Sequence, residues 1–426
     1  MRMTAKQPAQ AAAWREPQIA GDPIGGAVLF ALALLAGLAA FSIDLYLPAF
    51  PAMTAELSTT ATGVQLSLTA FLIGSGAGQF VFGPWSDRAG RMTPLMVGLA
   101  LFLAASVAAV LATSVDLLVG ARLLQGLGGA GGMVIGRAII LDRASGKAAA
   151  RALSLMMVIG GVAPVGAPVI GGLLAEPVGW RGLLGIVAGL GLATLVATVL
   201  FVRESLPREV RARTAKRGAW KALLSRGYLG NVTTFAFGMA IMMAYISASP
   251  FIYQTMIGLS PTGYGIAFAT NAIGMVAATA LSTRLVARFP VRMLTAAGLV
   301  VSLISGLVLL AFSLVDAPAA WLMGPLFFAI APLGLVFGNA TALALSAVPH
   351  STTGTASAFL GLLQFALAGI VAALVGIAGE HTALPLALTM LASALIAILG
   401  LVVAGNDPSA QAAEHARQVS EHAARD

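Results

Sequence analysis

Two charged side chains stand well inside long apolar runs of this sequence, Asp44 and Arg122. Nearly every other charged residue is close to the end of such a run or in a terminal tail. A charge inside a bilayer costs about 2.5–3.5 kcal/mol on insertion scales, and a chain that keeps one usually needs it for function. An arginine stays protonated at physiological pH, whereas an aspartate can exchange a proton. We therefore predict that Asp44 is a proton site and that Arg122 controls its proton affinity.

The composition indicates that membrane-spanning helices carry these residues. Of the 426 residues, 59% are hydrophobic and 9% are charged, and the mean hydropathy is +0.94. A soluble domain has about 25% charged residues. The apolar runs are about 20 residues long, the length of a helix that crosses about 30 Å of hydrocarbon. No run has the alternating pattern of a membrane β-barrel strand.

The apolar runs predict twelve transmembrane helices. Their predicted ranges are 25–48, 63–84, 93–113, 117–140, 152–174, 182–202, 228–250, 263–284, 293–314, 320–347, 353–377 and 384–404. If the N-terminus is cytoplasmic, all but two of the 24 basic residues are cytoplasmic, the exceptions being Arg122 in the membrane and Arg181 outside. The positive-inside rule supports this orientation. The net charge of +8 then reflects topology, and we expect no nucleic-acid partner.

The longest connection between the predicted helices divides the chain into two halves. We predict a cytoplasmic tail at 1–24, a six-helix bundle at 25–202, a basic cytoplasmic linker at 203–227, a second six-helix bundle at 228–404 and a cytoplasmic tail at 405–426. The predicted fold class is an all-α membrane protein with both termini in the cytoplasm. Parallel repeats of this kind occur in transporters, whose sites lie near the midplane between the repeats.

A charged turn, Gly83-Pro-Trp-Ser-Asp-Arg-Ala-Gly-Arg91, connects the second and third predicted helices. It resembles the G-x-x-x-D-R-x-G-R signature of the major facilitator superfamily, and residues 284–292 resemble a decayed copy that has lost its acid. The resemblance implies a latch between inward- and outward-facing states. The latch residues are Gly83, Asp87, Arg88, Gly90 and Arg91. The alternative is an ordinary basic turn at a cytoplasmic boundary.

The segment Arg122-Leu-Leu-Gln-Gly126 opens the fourth predicted helix. It resembles the R-x-x-Q-G motif of the same superfamily, whose arginine is associated with proton coupling in drug antiporters. The resemblance implies that Arg122 biases a partner acid or pairs with it in one state. The alternative is a permanent ion pair that anchors this helix.

The fifth predicted helix has Gly160, Pro164, Pro168 and Gly172 on one face, each four residues after the last. Small residues let helices approach closely, and proline removes a backbone hydrogen bond. Residues 160–172, which end in Gly171 and Gly172, resemble the G-x-x-x-G-P-x-x-G-G motif of exporters, with Pro164 where the motif has glycine. The resemblance implies a helix that seals or bends. The alternative is a generic packing face.

The segment Ser42-Ile-Asp-Leu-Tyr-Leu-Pro-Ala-Phe-Pro51 ends the first predicted helix. It resembles the S-x-D-x-Y-L-P-A-x-P segment of drug:proton antiporters of the bicyclomycin and chloramphenicol resistance subfamily. Trp180-Arg181 and Glu204-Ser-Leu-Pro207 fit that subfamily too, although its usual form of the latter has Glu-Thr. The alternative for Asp44 is a residue near the outer boundary that reaches water or caps a kinked helix end.

The predicted helix ends place Asp44 and Arg122 at one depth. At about 1.5 Å per residue, both lie roughly 6–8 Å below the outer boundary, so we hypothesise that they meet. If helices 1, 4, 7 and 10 line the cavity, four residues are candidates for substrate contact: Tyr46, Gln125, Tyr245 and Asn339. Their alternative role is interhelical hydrogen bonding.

Several function classes lack their residues in this sequence. Gly146-Lys147 is followed by Ala, so no phosphate-binding loop is present, and the four histidines are scattered. The chain has no cysteine. We therefore expect no cofactor, no metal site and no enzymatic activity.

The sequence predicts a transporter of a bacterial inner membrane, multi-pass and monomeric, with the lipid bilayer, protons and a small-molecule drug as its partners. It would export small amphiphilic drugs, of phenicol or bicyclomycin type, in exchange for protons. The first alternative is an exporter of a metabolite such as a sugar, amino acid or siderophore. A non-transporting receptor or scaffold is a second alternative, and an intramembrane enzyme is a third.

Overall fold

The structure is a computed structural model that describes residues 25–144, 146–206, 223–349, 352–376 and 381–405. Regular structure in these ranges is helical. The helices are α1 (Gly26–Asp44), α2 (Phe50–Glu56), α3 (Ala61–Ala89), α4 (Met92–Val110), α5 (Val115–Arg143), α6 (Gly146–Phe201), α7 (Arg226–Pro250), α8 (Pro261–Leu285), α9 (Val291–Leu314), α10 (Met323–Ile330), α11 (Phe337–Ser346), α12 (Thr353–Gly376) and α13 (Leu384–Ala404). The predicted N-terminal tail, the C-terminal tail after Gly405 and residues 207–222 of the predicted linker lie outside the described residues.

The described residues contain eleven helical stretches that are long and apolar enough to cross a membrane. The predicted helix 152–174 and all but the last residue of the predicted helix 182–202 fall within α6, which has 56 residues. A straight helix of that length would measure about 84 Å, far more than the thickness of a bilayer. The backbone of α6 is non-helical at Gly179, with φ 65° and ψ 177°. Glycine tolerates a positive φ because it has no Cβ, and the two helical segments of α6 meet at this residue.

Two predicted helices are interrupted where proline or glycine occurs. The first, predicted over 25–48, ends at Asp44, and a 3₁₀ turn at Leu47–Ala49 leads into α2. The tenth, predicted over 320–347, is divided into α10 and α11 by a 3₁₀ turn at Ala331–Leu335. Pro48 and Pro332 lie in these turns. A proline has no N–H to donate to the helical ladder, so an α-helix does not continue unchanged through it.

Glycine allows the helices of each half to touch through their backbones. In the first half, a Cβ added at Gly126 of α5 would lie 2.0 Å from the carbonyl oxygen of Phe71 in α3. In the second half, a Cβ at Gly230 of α7 would lie 2.5 Å from the carbonyl oxygen of Gly400 in α13. Lipid tails are as apolar as leucine, so helices in a membrane associate through close packing of this kind.

The two halves meet along two helix pairs, α3 with α12 and α6 with α8. We call the end at which α3 and α8 begin the outer end, following the predicted orientation, and the opposite end the inner end. At the outer end, Gln65 Nε2 donates to the carbonyl oxygen of Ser247 at 2.9 Å. Gln254 Nε2 donates to that of Pro48 at 3.0 Å. The outer end is therefore closed by contacts between the halves.

Replacing Gly126 by alanine should disrupt the α3–α5 contact, because the new Cβ would overlap the Phe71 backbone. We expect a loss of at least about 2 kcal/mol of stability, measured as a lower midpoint of thermal denaturation in detergent. The matched control is Gly120→Ala in the same helix, where a Cβ would meet no atom within 4 Å. That control should be neutral or stabilising by about 0.5–1 kcal/mol. Equal midpoints for the two variants would contradict the packing described here.

Candidate functional site

Asp44 is the last residue of α1 and is almost completely buried, with 3% of its surface exposed. Its Oδ1 atom accepts no hydrogen bond. The chain leaves the helix at this point and turns through Leu47–Ala49. Asp44 therefore presents a buried carboxyl oxygen without a partner, beside the surface where α8 contacts the Leu47–Ala49 turn.

Arg122 lies in α5 and is fully buried. Its Nη2 donates to the carbonyl oxygen of Ser42 at 2.7 Å, and its Nη1 donates to Gln125 Oε1. The guanidinium carbon lies 4.5 Å from the ring centre of Tyr46 and 4.4 Å from that of Phe71. Ser42 belongs to the last turn of α1, whose carbonyl groups lack partners within the helix. Arg122 thus caps the end of the helix that carries Asp44 and is stacked between two rings.

In this conformation Asp44 and Arg122 do not form the ion pair that the sequence led us to hypothesise. Among the described residues, the ion pairs within 4.0 Å join Arg91 to Asp87, Arg91 to Asp142 and Arg181 to Glu56. The guanidinium of Arg122 is directed at the backbone of α1, two residues before the carboxylate. Equal depth did not produce contact, because contact also depends on how α1 and α5 are rotated about their axes.

Two of the four cavity candidates belong to the surroundings of Arg122. Tyr46 places its ring against the guanidinium, and its hydroxyl is 3.1 Å from Ser67 Oγ. Gln125 accepts from Arg122 and donates to Ser106 Oγ at 2.7 Å. Both side chains are fully buried. They orient the arginine in this conformation.

The other two candidates lie in separate networks of the second half. Asn271 of α8 donates to the hydroxyls of Tyr245 at 2.6 Å and Tyr253 at 3.0 Å. Asn339 of α11 donates to Ser282 Oγ at 2.9 Å. The rings of Tyr245, Tyr253, Phe268 and Tyr264 pack in contact, and the Tyr264 hydroxyl is 3.2 Å from Ser249 Oγ. Sequence reasoning missed this aromatic cluster because its members are spread over α7, the π-helical turn Phe251–Met256 that follows it, and α8.

The predicted latch is organised around Arg91, the residue before α4. Its Nη1 donates to Asp87 Oδ1 at 2.5 Å, and its Nε donates to Asp142 Oδ2 at 2.8 Å. Burial alone lowers the pKa of the Arg91 guanidinium, but the hydrogen bonds and charges of Asp142 and Asp87 raise it above its usual range. Gly90 has φ 97°, a conformation that favours glycine and turns the chain sharply between α3 and α4. Arg88 is exposed.

Asp142 and Glu204 bind residues at the predicted latch, although the motif did not include them. Both Glu204 oxygens accept from the start of α4, Oε1 from Arg91 N at 2.9 Å and Oε2 from Met92 N at 3.2 Å. Ser205 Oγ donates to the same Asp142 oxygen that Arg91 Nε contacts, at 2.8 Å. The sequence signal that could have identified Asp142 is that it is an acid at the otherwise basic inner end of α5. Gly83 lies within α3, where a Cβ would be 3.7 Å from Val134.

The predicted motif of the fifth helix lies in the first segment of α6, between α1 and α8. The helix continues through Gly160, Pro164 and Pro168. A Cβ at Gly171 would lie 2.0 Å from the carbonyl oxygen of Leu45 at the end of α1. A Cβ at Gly172 would lie 2.4 Å from that of Pro261 at the start of α8. The motif therefore packs the end that carries Asp44 against the second half.

The parts of the chain that the structure describes contain no group of three or more His, Asp or Glu that could hold a metal ion. The polar network of the first half consists of a carboxyl group, a guanidinium and neutral hydrogen-bonding groups. Such a set can hold and release a proton as its hydration changes.

Comparison with known families decides the protein's class. The family model described as Major Facilitator Superfamily matches residues 32–373 of this chain. The chain belongs to this superfamily. The charged turn at 83–91 and the Arg122 motif both lie within the matched residues.

Two relatives and one solved structure give the range of similarity. The uncharacterized MFS-type transporter YdgK of Bacillus subtilis is 35% identical over 88% of this chain and 94% of its own length. The chloramphenicol resistance protein of Pseudomonas aeruginosa is 30% identical over 85% of this chain and 87% of its own length. A bacterial homolog of the human lysosomal transporter Spinster, in an inward-facing and occupied conformation, has a TM-score of 0.70 and 19% identity, covering 90% of this chain and 96% of that one.

These comparisons confirm several expectations. The resemblance to the bicyclomycin and chloramphenicol resistance proteins is confirmed by relatives of those names. The family and its relatives identify a transporter rather than an enzyme. This superfamily member is a multi-pass protein of the bacterial inner membrane with an all-helical fold.

Replacing Asp142 by asparagine should weaken the predicted latch, because the Arg91 guanidinium loses one of the two carboxylates with which it forms ion pairs. We expect a loss of about 1.5–3 kcal/mol, the range for hydrogen bonds to charged groups, measured by thermal denaturation in detergent. The control is Arg88→Gln, an exposed neighbour in the same turn, whose effect should stay within about 0.5 kcal/mol. A larger effect for Arg88 than for Asp142 would show that the latch is held by other contacts.

Proposed function

We propose that this protein exports small amphiphilic drugs from the cytoplasm by alternating access, in exchange for protons. The chain crosses the membrane twelve times, with both termini in the cytoplasm. The eleven candidate spans together with the break of α6 at Gly179 support the number of crossings. The distribution of basic residues supports the orientation.

The observation that carries the proton-coupling proposal is the environment of Asp44. A buried carboxylate without a hydrogen-bond partner is costly, and binding a proton removes its charge. In the closed conformation of the outer end, Asp44 is buried and unpaired. For export in exchange for protons, Asp44 takes up a proton from the outside when the outer end opens, and drug entering from the cytoplasm favours its release on the cytoplasmic side. This exchange couples the conformation of the two halves to proton movement.

Arg122 acts on Asp44 through the backbone of α1. Its bond to the Ser42 carbonyl and its stacking on Tyr46 hold the residues on both sides of Asp44. An arginine is suited to this place because its planar guanidinium offers several donors and both faces. Arg122 is thus a positioning residue in this conformation, and it pairs with the carboxylate only if α1 moves.

The chemistry of the second half favours neutral or lipophilic substrates. Its described helices carry Tyr245, Tyr253, Tyr264, Phe268 and Asn271 in one buried cluster, with aromatic surface and neutral polar groups. If this cluster borders the transport cavity, its aromatic surface and neutral polar groups suit amphiphilic molecules with one or two polar groups. The relatives' names include bicyclomycin and chloramphenicol resistance, and we propose substrates of these two kinds.

Replacing Asp44 by asparagine should abolish proton-coupled export, because an amide cannot exchange the proton while its size is nearly the same. We expect drug-driven proton release to fall to the background of empty vesicles. The measurement is dissipation of a proton gradient in inverted vesicles when phenicols, bicyclomycin and lipophilic cations are added.

The matched control is Asp116→Asn, an exposed aspartate in the first turn of α5, which should behave like the parent protein. Full coupling in the Asp44 variant would remove this residue from the mechanism. Silence of the parent protein across the whole panel would favour the export of a metabolite.

Replacing Arg122 by lysine should impair coupling although the charge is kept, because an ammonium group cannot stack between two rings while it donates to Ser42 and Gln125. We expect drug-driven proton release to fall at least about ten-fold, and we expect the pH dependence of that release to shift. The control is Arg143→Lys, whose single bond to the Arg203 carbonyl a lysine can keep. An unchanged pH profile in Arg122→Lys would contradict the positioning role.

A further inference from the structure

The helices α3 and α8, which are the second membrane-spanning helices of the two halves, begin with similar short patterns. Thr60-Ala-Thr-Gly63 opens α3, and Ser260-Pro-Thr-Gly263 opens α8. The first residue of each pattern is the N-cap of its helix, and its hydroxyl accepts from the glycine N–H, at 3.2 Å in α3 and 3.1 Å in α8. Thr62 and Thr262, the third residues of the two patterns, therefore occupy the same position in the first turn of their helices.

Each of these threonines bonds to the opposite half. Thr62 Oγ1 of the first half donates to the carbonyl oxygen of Gly376 in α12. Thr262 Oγ1 of the second half donates to the carbonyl oxygen of Gly172 in α6, at 3.2 Å. The two bonds lie in equivalent helix pairs and run in opposite directions between the halves.

The acceptors are glycines in both cases, and the geometry explains why. A Cβ at Gly376 would lie 3.3 Å from Thr62 Cα and 2.3 Å from Gln65 Oε1. A Cβ at Gly172 would lie 3.2 Å from Thr262 Cα. In the sequence, each glycine is followed four residues later by a glutamate, Glu380 and Glu176. A donor threonine and an acceptor glycine thus occur at equivalent positions in both halves.

Several helical threonines of the second half bond only within their own helix, unlike Thr62 and Thr262. Thr233, Thr270 and Thr279 each donate to the carbonyl oxygen four residues earlier in their own helix. Thr62 and Thr262 are the second residues of their helices, so the residue four positions earlier lies before the helix. Their hydroxyls can therefore bond to the opposite half. Gly376 is the last described residue of α12.

We propose that Thr62 with Gly376 and Thr262 with Gly172 form a paired outer clasp that holds the two halves together at the outer end. Separation of the halves at this end breaks both bonds. Since neither bond involves a charge, the strength of the clasp does not depend on pH or salt. This inference rests on the alternating-access mechanism proposed above, but not on the identity of the substrate or on proton coupling.

The test measures opening of the outer end by chemical labelling. The chain has no cysteine, so Ala248→Cys supplies a single reporter at a buried position of α7 beside Gln65. Its rate of labelling from the outside by a membrane-impermeant thiol reagent reports how often the outer end opens. Labelling is carried out without substrate or gradient, so failure of the proposed drug export would leave the result intact.

Thr62→Val and Thr262→Val each remove one hydroxyl and keep the shape of the side chain. We expect each to raise the labelling rate about five-fold, and the double variant about twenty-five-fold, since a neutral hydrogen bond contributes a factor of this size and separate sites add. Thr262→Ser keeps the hydroxyl and should stay within about two-fold of the parent. Thr270→Val, which removes a bond within α8, is the matched control and should leave the rate unchanged.

The clasp is refuted if either valine variant labels at the parent rate. It is also refuted if Thr270→Val raises the rate as much as Thr262→Val does, because the effect would then belong to helix stability. Gly172→Ala provides an independent check, since its Cβ would displace Pro261 and should also raise the rate. An unchanged rate in that variant would contradict the close contact on which the bond depends.

Discussion

The bond between Arg122 and the end of α1 is the interaction on which the first half depends. A guanidinium inside the membrane must be satisfied by the protein, because no water is available there. Here a helix-terminal carbonyl, an amide oxygen and two aromatic faces surround it. The same carbonyl belongs to the segment that carries Asp44. The bond that Nη2 donates therefore fixes the backbone that presents the aspartate, while Nε of the same guanidinium has no hydrogen-bond partner.

The position of Arg122 depends in turn on the packing of α5 against α3. Backbone contact at Gly126 brings Phe71 close enough for its ring to cover the guanidinium. Gly171 packs α6 against Leu45 on the other side of the Asp44 segment, and Gly172 carries the contact on to α8. Small residues thus link the charged centre of the first half to the second half. A change in the distance between the halves must alter the surroundings of Asp44.

The charged contacts within the first half at the inner end differ in kind from the contacts that join the two halves at the outer end. At the inner end, Arg91, Asp87, Asp142 and Glu204 form a charged cluster within the first half. At the outer end, hydrogen bonds between the described residues of the two halves join neutral side chains to backbone carbonyls. Charged groups near water are stabilised by solvation, whereas neutral bonds can be broken and remade without moving charge. This difference allows the outer end to open without the loss of an ion pair.

The sequence alone determined the class of the protein, because hydropathy and charged boundaries act over one helix length and short motifs are read locally. It predicted the membrane spans, the superfamily and the importance of Asp44, Arg122 and the 83–91 turn. Only the tertiary structure decided that Arg122 holds the α1 backbone instead of pairing with Asp44, and that Asp142 forms an ion pair with Arg91. These contacts join residues 51 to 80 positions apart. They depend on helix ends, rotation and tilt, which the packing of the whole bundle sets.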